Sequence, residues 1–507
     1  MRKTKIKLAI IVLIGFMLRV YKLADLSLWI NEAKVVCFAK KDLLSVFQFT
    51  DFYRPVYLLL SRIWLNVFGM DEFFVRLLPA VLGSLSIILM YRIGRMLWDR
   101  KTGLVAAYIL CLSVFHVYFS RQGKGVSSLL VFLCLISFLL MLKIHTKKKT
   151  KYYFYIFFTN ILILCSHPVG IFYVFTEKIC HLFLNNRKVD IKWNILLIAI
   201  GCVLFPWFYY VGLFTPDKFS VNFLPVSLLD IAKFFEVFSC GGRQLVHGGE
   251  GYKLSYARMI MPWVLTSIYF SIFVSELFCN KNKIKNVLLV WLLLPLILIL
   301  TYSYFIQPIY WPRYVIYSLP AFYLLLAHFI AGFRKGCVII LVAVSFLSIG
   351  SLNNIYNPQF KEGFKEATYF LKDKLKNNDI VVFAPAEMMA GIFYYLKNDD
   401  LDIMGRIDDD KGMLFDKKWE TDFIFENNRF ICLQFDDIAR FSEDFSFEKY
   451  NFAGAPADGI WVFYAPDWAL NENSKWLIEH LEENYEPIFN EFFKRQNLFL
   501  KYYRVNK

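Results

Sequence analysis

Between residues 6 and 352 the chain alternates long apolar blocks with short polar runs, and after residue 352 the pattern changes to mixed short periods. A membrane-spanning helix needs roughly 20 apolar residues. On that scale the blocks predict about eleven spans, near 6–24, 76–97, 103–119, 126–143, 152–166, 168–184, 193–214, 258–279, 286–306, 313–332 and 336–352. The positively charged start, Met1 to Lys7, followed by an apolar stretch, is also how a signal peptide begins. The run is long, contains Arg19 and has no clear small-x-small cleavage site, so a retained first span is expected.

The remainder, 353–507, alternates helix-like and strand-like segments. Phe360, Phe364, Ala367, Leu371 and Leu375 recur at three-to-four spacing, the signature of an amphipathic helix. Apolar runs at 380–383, 430–433 and 460–463 predict strands, with a last strand near 498–505 and helices near 387–397 and 469–484. The fold class expected is an α-helical polytopic membrane protein (1–352, with long loops at 25–75 and 215–257) carrying a C-terminal extracytoplasmic α/β domain (353–507).

Charge adds the orientation. Of the 57 Lys+Arg and 42 Asp+Glu, residues 1–351 hold 38 and 14 and the remainder 19 and 28, so a basic membrane half is joined to an acidic domain. The basic residues sit in short runs between apolar blocks, which argues for a bilayer partner and against nucleic acid, whose binders gather charge on a soluble face. Six alternate connections, from Arg2–Lys7 to Arg334–Lys335, carry 19 basic residues against Asp99 and Asp190 alone. The excess of Lys and Arg marks the cytoplasmic side. The N-terminus is therefore expected in the cytoplasm, with both long loops and the C-terminal domain outside. The 10 Cys show no metal spacing and no CxxC pair.

Candidate chemistry lies beside the expected outer helix ends, where a charge near lipid is costly unless it has work to do. The first long loop opens Asp25-Leu26-Ser27-Leu28-Trp29-Ile30-Asn31-Glu32-Ala33 and continues through Asp51-Phe52-Tyr53-Arg54-Pro55-Val56-Tyr57. Arg76-Leu77-Leu78-Pro79 to Gly83 begins the second span. Ser120-Arg121-Gln122-Gly123-Lys124-Gly125-Val126 precedes the fourth, and Arg313-Tyr314 with Pro320 opens the tenth.

Together these segments resemble the polytopic GT-C glycosyltransferases, in the bacterial branch of protein O-mannosyltransferases and the aminoarabinose transferase of lipid A. That family shows a Leu-Trp-x-Asp-Glu-Ala element, a Pro-Pro-Leu-Tyr-Tyr-Leu-Leu segment, an Arg-Leu-Pro-x-x-x-x-Gly element and a Ser-x-x-x-Arg-x-Tyr-Ser loop. A late Arg-Tyr-x-x-x-x-x-Pro element completes the set. The resemblance implies transfer of a sugar from a polyprenyl-phosphate donor to an acceptor glycan, lipid or protein, at the outer face of the bacterial cytoplasmic membrane. No cofactor is required for such a transfer, although a divalent cation is compatible with it.

The leaving group is a lipid phosphate, so fixed cations must meet its developing charge. Arg54, Lys124, Arg121, Arg313 and Arg76 are the candidates for that role, and Glu32, Asn31 and Asp51 are the candidates for handling the acceptor. Where the family has Asp, this chain has Asn31, an amide that cannot accept a proton as a carboxylate does. The family's loop Arg is replaced by Lys124, which keeps the charge without the bidentate fork. Three possibilities follow from Asn31: Glu32 or Asp51 acts as base, the acceptor is itself anionic, or the protein binds lipid-linked sugar without transferring it. The Gly-rich stretch 241–251 is expected to be a mobile loop or a lid, and Asp408–Asp410 a solvated acidic run.

Overall fold

The computed structural model describes residues 2–40, 55–210, 227, 229–241, 256–279, 282–333, 336–356, 363–376, 379–384, 389–396, 420–425, 428–433, 459–464, 478–479, 481–493 and 498–504. The chain divides into two compact units. One comprises 1–23, 50–64 and 76–357; the other comprises 24–49, 65–75 and 358–507.

The first unit is helical. In chain order its described helices begin with α1 (Arg2–Val20) and, after α2 (Ile30–Lys40) of the other unit, continue with α3 (Pro55–Phe68) and α4 (Glu72–Leu97), whose residues 65–68 and 72–75 are counted with the other unit, then α5 (Arg100–Leu112), α6 (Val114–Phe119) and α7 (Val126–Lys147). Then follow α8 (Lys151–Ser166), α9 (Gly170–Leu184), α10 (Ile191–Tyr210), α11 (Leu229–Cys240), α12 (Tyr256–Cys279) and α13 (Lys283–Phe305). A 3-10 segment, Pro312–Ser318, leads into α14 (Leu319–Gly332), and α15 (Gly336–Ile355) closes the unit. Among the described residues seven helical stretches are long and apolar enough to cross a membrane. Two more, Pro55–Phe68 and Lys151–Ser166, are apolar but shorter. The chain is thus a polytopic helical membrane protein with a C-terminal non-membrane domain.

Two expected features of this half are refined. The block at 103–119 is two helices, because Ser113 leaves helical geometry and caps the second: its Oγ accepts from the His116 N–H at 3.2 Å. The long loops are not structureless either, since they contain α2, α3 and α11. α11 is held by aromatic packing: Phe234 and Phe238 are fully buried, and Phe235 lies 5.4 Å from Phe273 of α12.

Helices approach closely where side chains vanish. A Cβ on Gly103 of α5 would stand 2.6 Å from the Tyr91 carbonyl oxygen and 2.9 Å from the Arg95 nitrogen of α4, so backbone meets backbone there. Polar groups inside the bundle find partners. Ser137 of α7, Asn160 of α8 and Glu177 of α9 form a buried ring: Ser137 Oγ is 2.6 Å from Glu177 Oε1 and 3.0 Å from Asn160 Oδ1, and Asn160 Nδ2 donates to Glu177 Oε2 at 2.9 Å. An amide at 177 can give and take in the same two directions. Glu177→Gln is therefore expected to keep stability within about 1 kcal/mol, whereas Glu177→Leu orphans two buried partners and should cost about 2–3 kcal/mol. Thermal unfolding in detergent measures both, and equal losses would count against the ring as the stabilising feature.

The second unit contains a six-stranded mixed sheet of order β2-β3-β1-β4-β6-β5. Its strands are β1 (Ile380–Ala384), β2 (Glu420–Phe425), β3 (Asn428–Leu433), β4 (Gly459–Tyr464), β5 (Glu486–Phe493) and β6 (Leu498–Arg504). β1 is central and parallel to both neighbours, with Val381 opposite Phe430 on one side and Trp461 on the other. Helices α16 (Phe364–Lys374) and α17 (Met389–Leu396) pack on each other. The interior strands match the apolar runs; β2 and β5 were not expected from the pattern. Of the helix expected at 469–484, residues 478–479 and 481–484 are helical and the rest lies outside the described residues.

Candidate active site

In the second unit the motif residues sit at the start of α2. Trp29 precedes the helix, and its N–H donates to Glu32 Oε2 at 3.0 Å, the carboxylate half of a capping box. Glu32 is 1% exposed. The side chain at 31 follows in the first turn and is partly exposed. A carboxylate in the first turn of a helix faces its positive end, which favours the ionised form. α2 is buried nearly throughout and packs against α17, and the Leu28 N–H donates to Tyr395 Oη at 2.6 Å.

The cations of the first unit divide into two sets. Arg121 is buried and donates to a carbonyl in the last turn of α1 and to two in the turn after it: Nη1 to Arg19 at 2.8 Å and Tyr21 at 2.6 Å, and Nη2 to Lys22 at 3.2 Å. Its guanidinium also lies 4.7 Å from the Tyr356 ring centre. Arg76 is 1% exposed and donates to the Leu23 carbonyl at 2.9 Å. Both therefore satisfy carbonyls that a helix end and the turn after it leave open.

Lys124 is placed differently. It immediately precedes α7, whose first turn has no side-chain cap. A helix N-terminus presents backbone N–H groups and a positive dipole end, so a lysine there adds to a field that already favours an anion. The turn is fixed from behind: Tyr57 Oη donates to the Gly123 carbonyl at 2.5 Å. Gly125 is required at its place, since a Cβ would stand 2.6 Å from both Tyr57 Oη and Pro79 Cβ. Arg313 lies in the first turn of the 3-10 segment, which packs against α7. Its guanidinium is 5.2 Å from the Tyr314 ring centre, and the Tyr314 ring packs tilted at 43° against His167, 4.9 Å between centres. Lys124 thus stands just before α7, and Arg313 lies on the segment that packs against that helix. Nearby in sequence, Tyr310 is buried, and burial pushes its phenol up.

Asp51 and Arg54 lie outside the described residues, as do Gly242 to Glu250 and Asp408–Asp410. Among the described residues no group of three or more His, Cys, Asp or Glu is arranged to hold a metal ion.

Several polar clusters went unrecognised in the sequence. Arg19, fully buried, donates Nη1 to the Gly15 carbonyl at 2.7 Å and Nη2 to His116 Nδ1 at 2.7 Å, which leaves the His116 proton on Nε2. His145 and His181 meet at 3.1 Å, and His181 meets Asp190 at 3.0 Å. Asp190 is held below the usual carboxylate range: burial opposes this, but hydrogen bonds from Tyr153 and His181 outweigh it. For Arg19, His116 and His181 the available signal was an ionisable residue inside an apolar block.

Residues 54–210 match the family model described as dolichyl-phosphate-mannose-protein mannosyltransferase. Among solved structures, ArnT from Cupriavidus metallidurans in the apo state is similar over 97% of this chain and 97% of its own, with a TM-score of 0.59 at 11% identity. The same protein bound to undecaprenyl phosphate is similar over 99% of this chain and 98% of its own, with a TM-score of 0.54 at 11% identity. No curated protein matches the chain in sequence.

Proposed function

We propose that this chain, by fold a GT-C-like polytopic glycosyltransferase with the mannosyltransferase signature over residues 54–210, moves a sugar from a polyprenyl-phosphate donor to an acceptor at the outer face of a bacterial cytoplasmic membrane. The observation that carries this is Lys124 at the uncapped N-terminus of α7, with Arg313 on the segment packed against that helix. A cation and a helix dipole at one place suit a lipid phosphate that gains charge as it leaves. The bound state of ArnT, whose fold this chain shares, holds undecaprenyl phosphate, a lipid of the class required.

The step is a single inverting displacement. The acceptor oxygen forms a bond to the anomeric carbon, the bond from that carbon to the phosphate oxygen breaks, and its electron pair leaves on the polyprenyl phosphate. Glu32 takes the acceptor proton, Asn31 positions the acceptor, and Lys124 and Arg313 meet the phosphate. Asp51 and Arg54 are proposed to assist in the corresponding roles. Arg121 and Arg76 serve chiefly by holding the end of α1 and the turn after it. The positive-inside pattern of the connections supports a cytoplasmic N-terminus and an outward C-terminal domain.

One observation favours a second possibility. Asn31 stands where the family has its catalytic Asp, so the protein could bind lipid-linked sugar without transferring it.

The test is release of polyprenyl phosphate from a panel of labelled polyprenyl-phosphate sugars, with membrane extract as acceptor. Wild type is expected to turn over one of them, and Lys124→Ala to lower turnover about 10- to 100-fold with the unfolding midpoint unchanged. Donor binding without release in any extract would favour the binding protein.

A further inference from the structure

The first long loop and the C-terminal domain are joined at three points within one unit. At the loop's start, the buried Leu28 N–H donates to Tyr395 Oη at 2.6 Å. At its end, Tyr394 Oη donates to the Met70 carbonyl at 2.9 Å, and Lys365 Nζ binds Glu72 Oε1 at 2.9 Å. The hydrogen bond to Glu72 also holds the Lys365 ammonium above the usual lysine range. The three residues are mutually braced: Tyr394 and Tyr395 pack edge to face at 4.7 Å, and Lys365 Nζ lies 5.8 Å from the Tyr395 ring centre. α17 itself packs along α2.

The first of these contacts has a direct consequence for chemistry. Leu28 is one residue before Trp29, whose N–H is the donor to Glu32 Oε2 at 3.0 Å. Two consecutive backbone N–H groups are therefore fixed, one by the carboxylate and the next upstream by a phenol of the C-terminal domain. Rotating the Leu28–Trp29 peptide would swing the carboxylate's anchor with it. We propose that Tyr395, supported by Tyr394 and Lys365, is a positioning residue for the Trp29–Glu32 turn, so that turnover depends on a domain that supplies no reacting group. This inference rests on the transferase role proposed for Glu32.

Tyr395→Phe removes the acceptor and keeps the ring. Backbone amide exchange over residues 28–33 is expected to speed up about tenfold, because a buried N–H loses its partner. In the donor-release assay kcat should fall about tenfold while the donor KM stays within about twofold, since a misplaced base affects the chemical step and not donor binding. Tyr369→Phe, on an exposed ring that packs against Tyr395, should change neither quantity. Lys365→Glu should lower kcat, and adding Glu72→Lys should restore it. Unchanged exchange in Tyr395→Phe, or faster exchange with unchanged kcat, overturns the inference. A wild type that releases no lipid phosphate overturns the transferase role on which it rests, and the exchange measurement still separates the two failures.

Discussion

Arg121→Met is expected to destabilise the protein by about 3–5 kcal/mol, the loss of several charge-assisted hydrogen bonds and a cation–π contact. The α1 end carries carbonyls with no partner inside the helix, and Arg121 reaches those of Arg19, Tyr21 and Lys22 from one planar group. The Arg19 carbonyl would be left in a buried place and the other two in partly buried ones. Arg121→Lys should recover part of the loss, because one ammonium keeps the charge at the negative end of the helix but cannot span the same carbonyls. The unfolding midpoint of detergent-solubilised protein checks the order: wild type above Lys above Met. An unchanged midpoint in Arg121→Met with weakened donor affinity would instead place Arg121 on the phosphate.

That residue also illustrates what the sequence could and could not convey. Arg121 was legible as a cation beside a helix end, but its acceptors are backbone carbonyls, which have no side-chain signature. Lys124 was legible for the opposite reason. Its placement lies in local order, a charged residue between two glycines just ahead of a long apolar helix, and local order is what a sequence records.

The fold follows the same division. Interior strands β1, β3 and β4 contain near-continuous apolar runs, Ile-Val-Val-Phe-Ala in β1, which lies between two parallel neighbours and, like β4, is buried nearly throughout. β2 and β5 are the sheet's edges. Glu420, Asp422, Asn490 and Glu491 interrupt their apolar residues, and β5 adds Pro487 at a register irregularity, so a run-length criterion passes over both. In the membrane half, Ser113 breaks a helix inside an unbroken hydropathy block, and only its preference for capping hints at the break. α3 was hidden because its 14 residues are short for a span.

Glu32→Gln is expected to lower turnover by about a thousandfold, within the range that loss of a general base produces. The substitution is informative because it separates two jobs of one side chain. In the structure Glu32 Oε2 accepts the Trp29 N–H, and a glutamine oxygen can do the same, since Gln serves at this position of a capping box. The helix start should therefore persist, with an unchanged unfolding midpoint and unchanged exchange over residues 28–33. What disappears is the proton-accepting carboxylate. Glu32→Ala, which loses both, should also destabilise α2, so the difference between the two variants measures what the side-chain oxygen contributes to holding the helix start. Asn31→Asp is the companion variant: it introduces a carboxylate one residue earlier in the same first turn, where the helix dipole favours its ionised form. If Glu32 is the base, wild type turns over and Asn31→Asp restores part of the activity lost in Glu32→Gln. If release of polyprenyl phosphate is found only in Asn31→Asp, the amide at 31 has removed the chemistry and left the binding of lipid-linked sugar.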